Sequence, residues 1–403
     1  MSIFIGSSFL FYCIALIVVL AYICYVFSRE MLVLVEVFKL YRKWVAGGLI
    51  VLGLLYSSPG SVAASEYGLT DAQQKKIVEP YDRFYHAAFA DKAAVEDFGM
   101  YKIPGLYEAA TLSLATGKIA ESQTMTPQGI ALTDKYVLIS AYSHDHQNHS
   151  VIYMLDRQTH RYLKTVVLPG HPHLGGIAYD PKHQRVWVTT DGLYAGLASI
   201  DLKVMEDYQL EDQRVVAYHQ QISLNNIARA SALTYTSGVL VVGYFTLDEY
   251  GRMSTYRLND QGELTTTSQE KVSSFDAGQP NKATQMPVAP PQFARSIGAW
   301  KTLAMVQGIA FYKDYLLMSQ SWGPERSGKI YFFNLDKVDR YFSIKDAEFK
   351  VDTPPYIEQI TVSDDQLFTL FEGAAFPYRR RNPVLVDHAI QLRIDDLLEK
   401  TDE

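Results

Sequence analysis

One short pattern recurs five times along the chain and restricts the folds available to it. Each copy opens with a small apolar segment, continues through a turn into a β-branched or aromatic run, and returns through a loop as a third run. The first copy comprises residues 128–131, 136–142 and 150–155. Runs of this kind, bounded by turn residues, are typical of β-strands. The pattern therefore predicts repeated units of three or more short strands.

The spacing of the copies indicates how these units are arranged. Equivalent apolar positions lie 47, 56, 76 and 51 residues apart, and they are Ile130, Ile177, Leu233, Ile309 and Ile360. A repeat of about 40–50 residues with several strands per unit is typical of a β-propeller, in which stacking around an axis buries the faces of each blade. We therefore predict an all-β fold, a β-propeller with five blades.

The longest interval contains residues 262–299, which are rich in Thr, Ser, Gln and Pro. This composition is typical of loops. We interpret the segment as a long outer hairpin with a surface loop. The alternative is a propeller of six blades, but a further blade needs a stronger strand pattern than this segment shows.

The composition fits a large β-sheet core and argues against one class of partner. The chain has 403 residues, 48% of them hydrophobic, which is ample for a sizeable core. The formal net charge of −7 argues against a nucleic-acid surface. Both cysteines, Cys13 and Cys24, lie in the first hydrophobic segment, so the remainder can form neither a disulfide framework nor a thiolate metal site.

The N-terminal region predicts membrane association or secretion. Residues 3–27 are almost uninterrupted apolar and long enough to span a bilayer. Residues 45–56 form a second apolar run that follows basic residues and precedes the small residues of a signal-peptide cleavage site, before Ser65. Either Met31 is the true start of a cleaved signal peptide, or Met1 is and two membrane segments are retained. Both interpretations place the chain after Ser65 outside the cytoplasm, extracellular or membrane-anchored, in a bacterium.

The patterns divide the chain into three regions. Residues 1–64 are the predicted membrane or signal region, 65–105 a helical linker or packing segment, and 106–403 the β-propeller. In the second region Thr70 is predicted to cap a first helix, and residues 81–95 carry a second.

The first residues of the predicted propeller indicate how the ring of blades closes. Residues 106–123 resemble the outer hairpin of a blade. We expect the N-terminal strand to complete the last blade, whose inner strands come from the C-terminus. Sharing of this kind removes open sheet edges.

The repeat also places polar and aromatic side chains together. In a propeller the first residues of each innermost strand, and the loops between second and third strands, reach the same face. Side chains converging there form an axial funnel suited to a polar or anionic small ligand, unless they only satisfy one another. The predicted ligand-binding residues are Gln128, Tyr142, His173, Asp191, Arg229, Tyr244, Gln307, Trp322, Glu358 and Glu372.

Arg229 stands where the other blades have Gln, His or Glu. A guanidinium near a propeller axis is partly desolvated and needs an anion, because an unpaired buried charge is costly. We therefore expect Arg229 to pair with Glu358 and Glu372. The alternative is that Arg229 is solvated or held for an external anion.

No recognisable catalytic signature is present: the chain contains no nucleophile elbow, P-loop or dinucleotide-binding glycine motif. Glu358 and Glu372 are nevertheless candidates to hold Ca²⁺ together with backbone carbonyls, or to act as a base. His173 would then relay a proton. The loop sequence His144-Asp145-His146, with His149, contains zinc-ligand residue types, but we interpret it as a solvated loop because its third ligand would come from the same loop.

Several segments together resemble secreted, uncharacterised β-propeller proteins of Gram-positive bacteria. The resemblance covers roughly residues 107–397. Its motifs are Gln128-Gly129-Ile130-Ala131, Ser140-Ala141-Tyr142, Ser150-Val151-Ile152-Tyr153, Gly175-Gly176-Ile177-Ala178-Tyr179-Asp180, Gln307-Gly308-Ile309-Ala310 and Phe371-Glu372-Gly373-Ala374-Ala375. More distantly the repeats look like NHL, gluconolactonase and TolB-like propellers. Those families imply extracytoplasmic binding, or calcium-assisted hydrolysis of lactones or esters. The gluconolactonase metal ligands have no residue-by-residue match here, so the resemblance assigns no catalytic role.

Together these observations predict an extracytoplasmic, membrane-associated propeller that binds a polar or anionic small ligand, or a cell-surface partner, at its axial face. A metal-assisted lactone or ester hydrolase or lyase that uses the same funnel is one alternative. A structural or protein-interaction scaffold is another.

Overall fold

The computed structural model describes residues 68–89, 99–192, 194–267, 293–339 and 341–399. All of them belong to the larger of the two units into which the chain divides, Tyr67–Glu403. The predicted membrane or signal region, 1–64, lies outside the described residues. Within the described ranges, no helix has both the length and the apolar character needed to cross a membrane.

Two helices precede the sheets, as the sequence predicts. They are α1 (Asp71–Val78) and α2 (Asp82–Phe89). Thr70 caps α1 in a reciprocal capping box, since its side chain accepts from the Gln73 amide and the Gln73 side chain accepts from the Thr70 amide. Three short strands follow, and they are β1 (Met100–Lys102), β2 (Ala109–Leu112) and β3 (Ile119–Ser122).

The first two blades are consecutive antiparallel sheets. Blade 1 consists of β4 (Met125–Leu132), β5 (Tyr136–Ser143), β6 (Val151–Asp156) and β7 (Tyr162–Val167). Blade 2 consists of β8 (Ile177–Asp180), β9 (Arg185–Thr190), β10 (Gly196–Asp201) and β11 (Gln220–Leu224). The helix α3 (Leu202–Asp207) and a 3-10 turn (Leu210–Asp212) connect the last two of these strands.

Blade 3 contains the long interval of the repeat. Its first three strands are β12 (Ala232–Thr236), β13 (Val239–Tyr244) and β14 (Tyr250–Arg257). The next two, β15 (Thr266–Thr267) and β16 (Phe293–Ala294), extend the outer edge of blade 2. The chain then returns as β17 (Ser296–Leu303), the outer strand of blade 3.

The remaining strands complete two further blades, so the propeller has five blades and the six-bladed alternative is wrong. Blade 4 consists of β18 (Val306–Tyr312), β19 (Tyr315–Gln320), β20 (Gly328–Asn334) and β21 (Phe349–Thr353), with a 3-10 turn (Ile344–Asp346) before the last. Blade 5 consists of β22 (Ile357–Ser363), β23 (Gln366–Phe371), β24 (His388–Arg393) and, from the N-terminal side, β1; the helix α4 (Ile394–Leu398) ends the described chain.

The ring closes through the predicted pairing of N- and C-terminal strands. β1 pairs antiparallel with β24, with Met100 opposite Ile390 and Lys102 opposite His388. The closing strand therefore precedes the segment expected to supply it. Residues 106–123 instead carry β2 and β3, which form a two-stranded sheet of their own. With β1 in place, blade 5 has four strands, and the edge of β24 that would otherwise be open is paired.

Apolar side chains fill the spaces between blades. Five buried clusters lie in the structure, one between each pair of neighbouring blades. The cluster between blades 4 and 5 also includes α2, where Phe84 meets Phe371 edge to face with ring centroids 6.1 Å apart. The five repeat positions inferred from the sequence, from Ile130 to Ile360, are all fully buried in these clusters.

The innermost strands β4, β8, β12, β18 and β22 surround the axis, and small residues let them approach it. A Cβ atom on Gly176 would lie 2.4 Å from the Leu233 amide nitrogen, and one on Gly129 would lie 2.7 Å from Oε1 of Gln359. The residues that precede the recurring apolar positions of the five repeats are Gly129, Gly176, Ala232, Gly308 and Gln359 in turn. Four small residues therefore leave room for one long side chain.

Gln359 uses that room to connect three blades across the axis. Its Oε1 accepts from the Ile177 amide at 2.9 Å, and its Nε2 donates to the carbonyls of Ile177 at 2.7 Å and Leu233 at 2.9 Å. The side chain is 1% exposed, so these bonds form away from bulk water.

We predict that Gln359→Leu lowers the free energy of unfolding by about 3 kcal/mol or more, because each buried backbone group left without a partner costs about 1–3 kcal/mol. Chemical denaturation of purified protein measures the change. Gln391→Leu is the matched control, since within the described chain its half-buried side chain makes no hydrogen bond. Equal midpoints for the two variants would contradict the role assigned to Gln359.

Candidate functional site

A funnel opens at the end of the axis where the innermost strands begin, and it encloses a cavity of about 420 Å³. All five blades contribute to its wall. The residues that line it are Gln128, His173, Gly175, Thr190, Asp191, Gly192, Tyr194, Ala195, Ala228, Arg229, Ala230, Ser231, Phe245, Gln307, Glu358, Glu372 and Tyr378.

The structure brings seven of the ten predicted ligand-binding residues to this wall, namely Gln128, His173, Asp191, Arg229, Gln307, Glu358 and Glu372. The other three are nearby. Tyr142 is buried behind His173, with ring centroids 4.2 Å apart. Tyr244 packs on the core between blades 2 and 3. Trp322 is 50% exposed, stacks on Phe245 and lines a neighbouring cavity of about 390 Å³.

Irregularities in the innermost strands aim the polar side chains into the funnel. The strand register shifts between Pro127 and Gly129 in β4, between Val306 and Gly308 in β18, and between Ile357 and Ile360 in β22. Each shift is a β-bulge, which leaves extra residues unpaired and turns their side chains. The bulged residues are Gln128, Gln307, and Glu358 with Gln359.

Two glutamines hold two buried glutamates. The Gln128 amide donates to Oε2 of Glu372 at 2.8 Å, and the Gln307 amide donates to Oε1 of Glu358 at 2.8 Å. Glu358 and Glu372 are 3% and 8% exposed, and they share a hydrogen bond with each other. Glu372 comes from the turn after β23, where its amide donates to the Tyr356 carbonyl at 3.1 Å. The funnel therefore has a carboxyl pair within its wall.

The pair holds a proton at neutral pH. Burial raises the pKa of Glu358 well above its ordinary value of 4.5, and the charge and hydrogen bond of Glu372 raise it further. Burial raises the pKa of Glu372 to about 7, although hydrogen bonds with Gln128, Glu358 and Tyr378 oppose the rise. Because the shared bond raises one pKa and lowers the other, Glu358 keeps the proton and donates it to Glu372.

Two tyrosines stand beside the carboxyl pair and stay protonated. Burial raises the pKa of Tyr378, and the charges of Glu372, Tyr142 and Glu358 add to this. Burial and the charge of Glu372 likewise raise the pKa of Tyr142, whose hydroxyl lies 2.8 Å from Nδ1 of His144. Both hydroxyls therefore remain hydrogen-bond donors at physiological pH.

His173 is a neutral ring at the funnel mouth. Solvent reaches it through the opening, yet the protein atoms packed around it lower its pKa to about 4 by desolvation. The charge of Asp191 opposes this shift, and Asp191 also accepts a hydrogen bond from the His173 amide at 3.2 Å. His173 therefore offers a donor and an acceptor and no charge at neutral pH.

The expected pairing of Arg229 with the glutamates does not occur. Arg229 is exposed, and it forms neither an ion pair nor a side-chain hydrogen bond with any residue that the structure describes. The glutamates have different partners, namely two amide groups and one another. The physical reason is that a retained proton, together with the amide donors, reduces the need of the pair for a cation. Arg229 is left facing the cavity.

Two histidines of the loop 144–149, beside the funnel, contact the segment that follows β7. Nδ1 of His146 lies 3.2 Å from Nδ1 of His171, and Nδ1 of His149 lies 2.9 Å from the Leu168 carbonyl. Among the described residues no group of three or more His, Cys, Asp and Glu side chains is arranged to hold a metal ion. The Ca²⁺ hypothesis for Glu358 and Glu372 remains a prediction from sequence.

The wall also contains residues outside the predicted set, among them the aromatic Tyr194, Phe245 and Tyr378 and the hydroxyl-bearing Thr190 and Ser231. Gln359, which spans the axis, was also outside that set. A signal existed for Gln359, because it replaces a small residue at one position of the repeat. Tyr378 follows the small residues Gly373 to Ala375, which form a tight corner. Here a Cβ on Gly373 would lie 2.3 Å from Nδ2 of the Asn382 side chain.

Fold and site together define the chain as a five-bladed β-propeller with an axial funnel. No protein-family model matches the sequence, and no curated protein matches it. Solved structures that resemble it include the crystal structure of a mitotic checkpoint complex, at 8% identity over 80% of this chain and 82% of that chain with a TM-score of 0.29. Another is the structure of U3-55K, at 10% identity over 66% of this chain and 69% of that chain with a TM-score of 0.32.

We predict that the carboxyl pair makes the protein less stable as pH rises from about 5 to about 8. Glu372 has a pKa of about 7 in the folded state and an ordinary pKa of 4.5 in the unfolded state. Between these two values the unfolded state has released the proton and the folded state still holds it, so the free energy of unfolding falls as the pH rises. Glu372→Gln should therefore show a smaller fall of Tm over this range than the wild type.

The difference between wild type and variant is the informative quantity, because the lowered pKa of His173 acts in the opposite direction below about pH 6.5. Glu325→Gln serves as the control, since Glu325 is exposed and forms no ion pair with described residues. The same pH profile for wild type and Glu372→Gln would show that the pair does not hold the extra proton.

Proposed function

We propose that the funnel binds a polar or anionic small ligand. The observation that carries this is Arg229, a guanidinium that lines a cavity of about 420 Å³ and has no anionic partner within the described part of the chain. Guanidinium groups bind carboxylates and phosphates through two parallel hydrogen bonds. A cavity of this size suits a small molecule.

The wall supports the same proposal through its uncharged groups. His173 supplies a neutral imidazole, Tyr378 a phenol, and Ser231 a hydroxyl, all along the same cavity. Aromatic surface comes from Phe245 and Tyr194. A few placed polar groups among apolar ones fix the orientation of a ligand, which is the usual arrangement in small-molecule sites.

We further propose that the propeller lies outside the cytoplasm, as a secreted or membrane-anchored bacterial protein that meets its ligand or a cell-surface partner there. The support is the N-terminal sequence, with its apolar runs and cleavage pattern before Ser65, and the resemblance to secreted Gram-positive propellers.

Expression with an epitope tag after Ser65, followed by cell fractionation, tests the location. Recovery of the tag only in the cytoplasm would refute it.

We predict that a ligand of this class raises the Tm of the wild type but not of Arg229→Met. At about 100 times its Kd a ligand contributes about 2.7 kcal/mol of stability, which is readily measured. Probes are inorganic phosphate, short carboxylates, sugar acids and amino acids. Arg257→Met is the matched control: it lies at the other end of the same blade, is exposed, and has no described ion-pair partner.

Two outcomes would overturn the proposal. Stabilisation that survives in Arg229→Met would place binding elsewhere. If no probe stabilises the wild type, the funnel is not a site for this ligand class, and a structural or protein-interaction scaffold becomes the better interpretation.

A second candidate function is hydrolysis of a lactone or ester in the same funnel, favoured by the proton shared between Glu358 and Glu372. Two carboxyl groups that share one proton can act as acid and base together. Water would add to the carbonyl carbon while Glu372 takes its proton and Glu358 protonates the carbonyl oxygen. In the second step Glu358 would take that proton back, the bond between the acyl carbon and the leaving oxygen would break, and Glu372 would protonate the leaving alcohol, which restores the pair. Arg229 would hold an anionic part of the substrate.

A panel of lactones and esters, assayed with and without added Ca²⁺, tests this candidate. We expect hydrolysis to fall by about 10²-fold or more in Glu358→Gln and in Glu372→Gln, the usual effect of removing a general acid or base. The Glu325→Gln control should keep full activity. Wild-type protein that is inert on the panel would exclude the candidate.

A further inference from the structure

The charges around the funnel do not suit a simple anion. Among the lining residues that the structure describes, Arg229 is the only cation, whereas Asp191, Glu358 and Glu372 are acidic. With one proton on the carboxyl pair, the wall carries one positive and two negative charges. A bare carboxylate or phosphate on Arg229 would therefore face net negative charge.

The carboxyl pair still has acceptor capacity toward the cavity. Each glutamate receives one amide hydrogen at 2.8 Å, from Gln307 or Gln128, and the shared proton occupies one further position. Glu372 also accepts from Tyr378. A carboxylate accepts about four hydrogen bonds, so free lone pairs remain on groups that line the wall. The groups that can use them are hydrogen-bond donors on a ligand.

Aromatic rings in the same wall favour a cationic donor. Tyr194, Phe245 and Tyr378 line the cavity together with the two glutamates. The faces of aromatic rings attract ammonium groups, and the attraction grows where water is excluded. Neither these rings nor the charge of Asp191 would favour an anionic group of a ligand near the two glutamates.

We propose that the ligand of the funnel is a small dipolar molecule, with a carboxylate for Arg229 and an ammonium for the Glu358–Glu372 pair. Amino acids with separated charged ends are the simplest members of this class. The inference rests on the proposed binding function and narrows its ligand. A charge-assisted hydrogen bond from the ammonium replaces the net repulsion that a simple anion meets.

Four compounds with the same carbon chain separate the contributions: 4-aminobutyrate, 4-hydroxybutyrate, butyrate and butylamine. Their binding to the purified full-length protein is measured by calorimetry at about pH 8, where the amine is protonated and the carboxyl pair has lost one of its two protons. We expect 4-aminobutyrate to bind at least about tenfold more tightly than each of the other three, since one charge-assisted hydrogen bond corresponds to about that factor.

Variants assign the two ends of the ligand. Arg229→Met should weaken 4-aminobutyrate and butyrate alike. Glu358→Gln and Glu372→Gln should each remove most of the preference for 4-aminobutyrate over butyrate, while Glu325→Gln leaves it intact. Two separate glutamate variants guard against a single folding defect, and circular dichroism of each confirms that the sheets are retained.

The outcomes distinguish this inference from the function on which it rests. If butyrate binds through Arg229 but 4-aminobutyrate is no tighter, the funnel binds anions and the dipolar ligand is wrong. If 4-hydroxybutyrate equals 4-aminobutyrate, a donor is recognised and the cationic charge is not, which also refutes the inference. If none of the probes in either series binds in an Arg229-dependent way, the proposed function itself fails.

Discussion

The arrangement of this propeller depends on how closely five strands can approach one axis. Glycine or alanine precedes the apolar repeat position in four blades, and Gln359 occupies the space in the fifth. Its amide bonds to Ile177 and Leu233 connect blade 5 to blades 2 and 3. A buried amide must be fully hydrogen-bonded to be tolerated, so these contacts fix the relative positions of the blades as well as stabilising them.

The same crowding produces the funnel. Bulges at Gln128, Gln307 and Glu358 turn polar side chains toward the axis just above Gln359. The innermost strands would otherwise continue their regular pairing, with apolar side chains packed between blades. The floor of the site and the bond network of the axis therefore belong to one structure, and a substitution in either is expected to affect the other.

Burying two carboxyl groups side by side has a cost that the surroundings reduce in two ways. The amides of Gln128 and Gln307 supply hydrogen bonds, and one retained proton removes the repulsion of two full charges. Cation pairing is the other common solution, and this protein does not use it, since Arg229 remains exposed in the cavity. Among the wall residues that the structure describes, Arg229 is the only cation, and stabilising the carboxyl pair does not require it.

The sequence by itself determined the number of blades, the strands of each repeat, the capped helix at Thr70 and most of the polar residues at the funnel, because period, turn residues and strand alternation are local properties. Tertiary structure alone decided which of these groups meet. Closure by β1, the pairing of Glu358 with Glu372, the span of Gln359 and the isolation of Arg229 depend on contacts between residues far apart in the chain. Such contacts follow from the strand bulges and the geometry of the ring, which a repeat pattern does not specify.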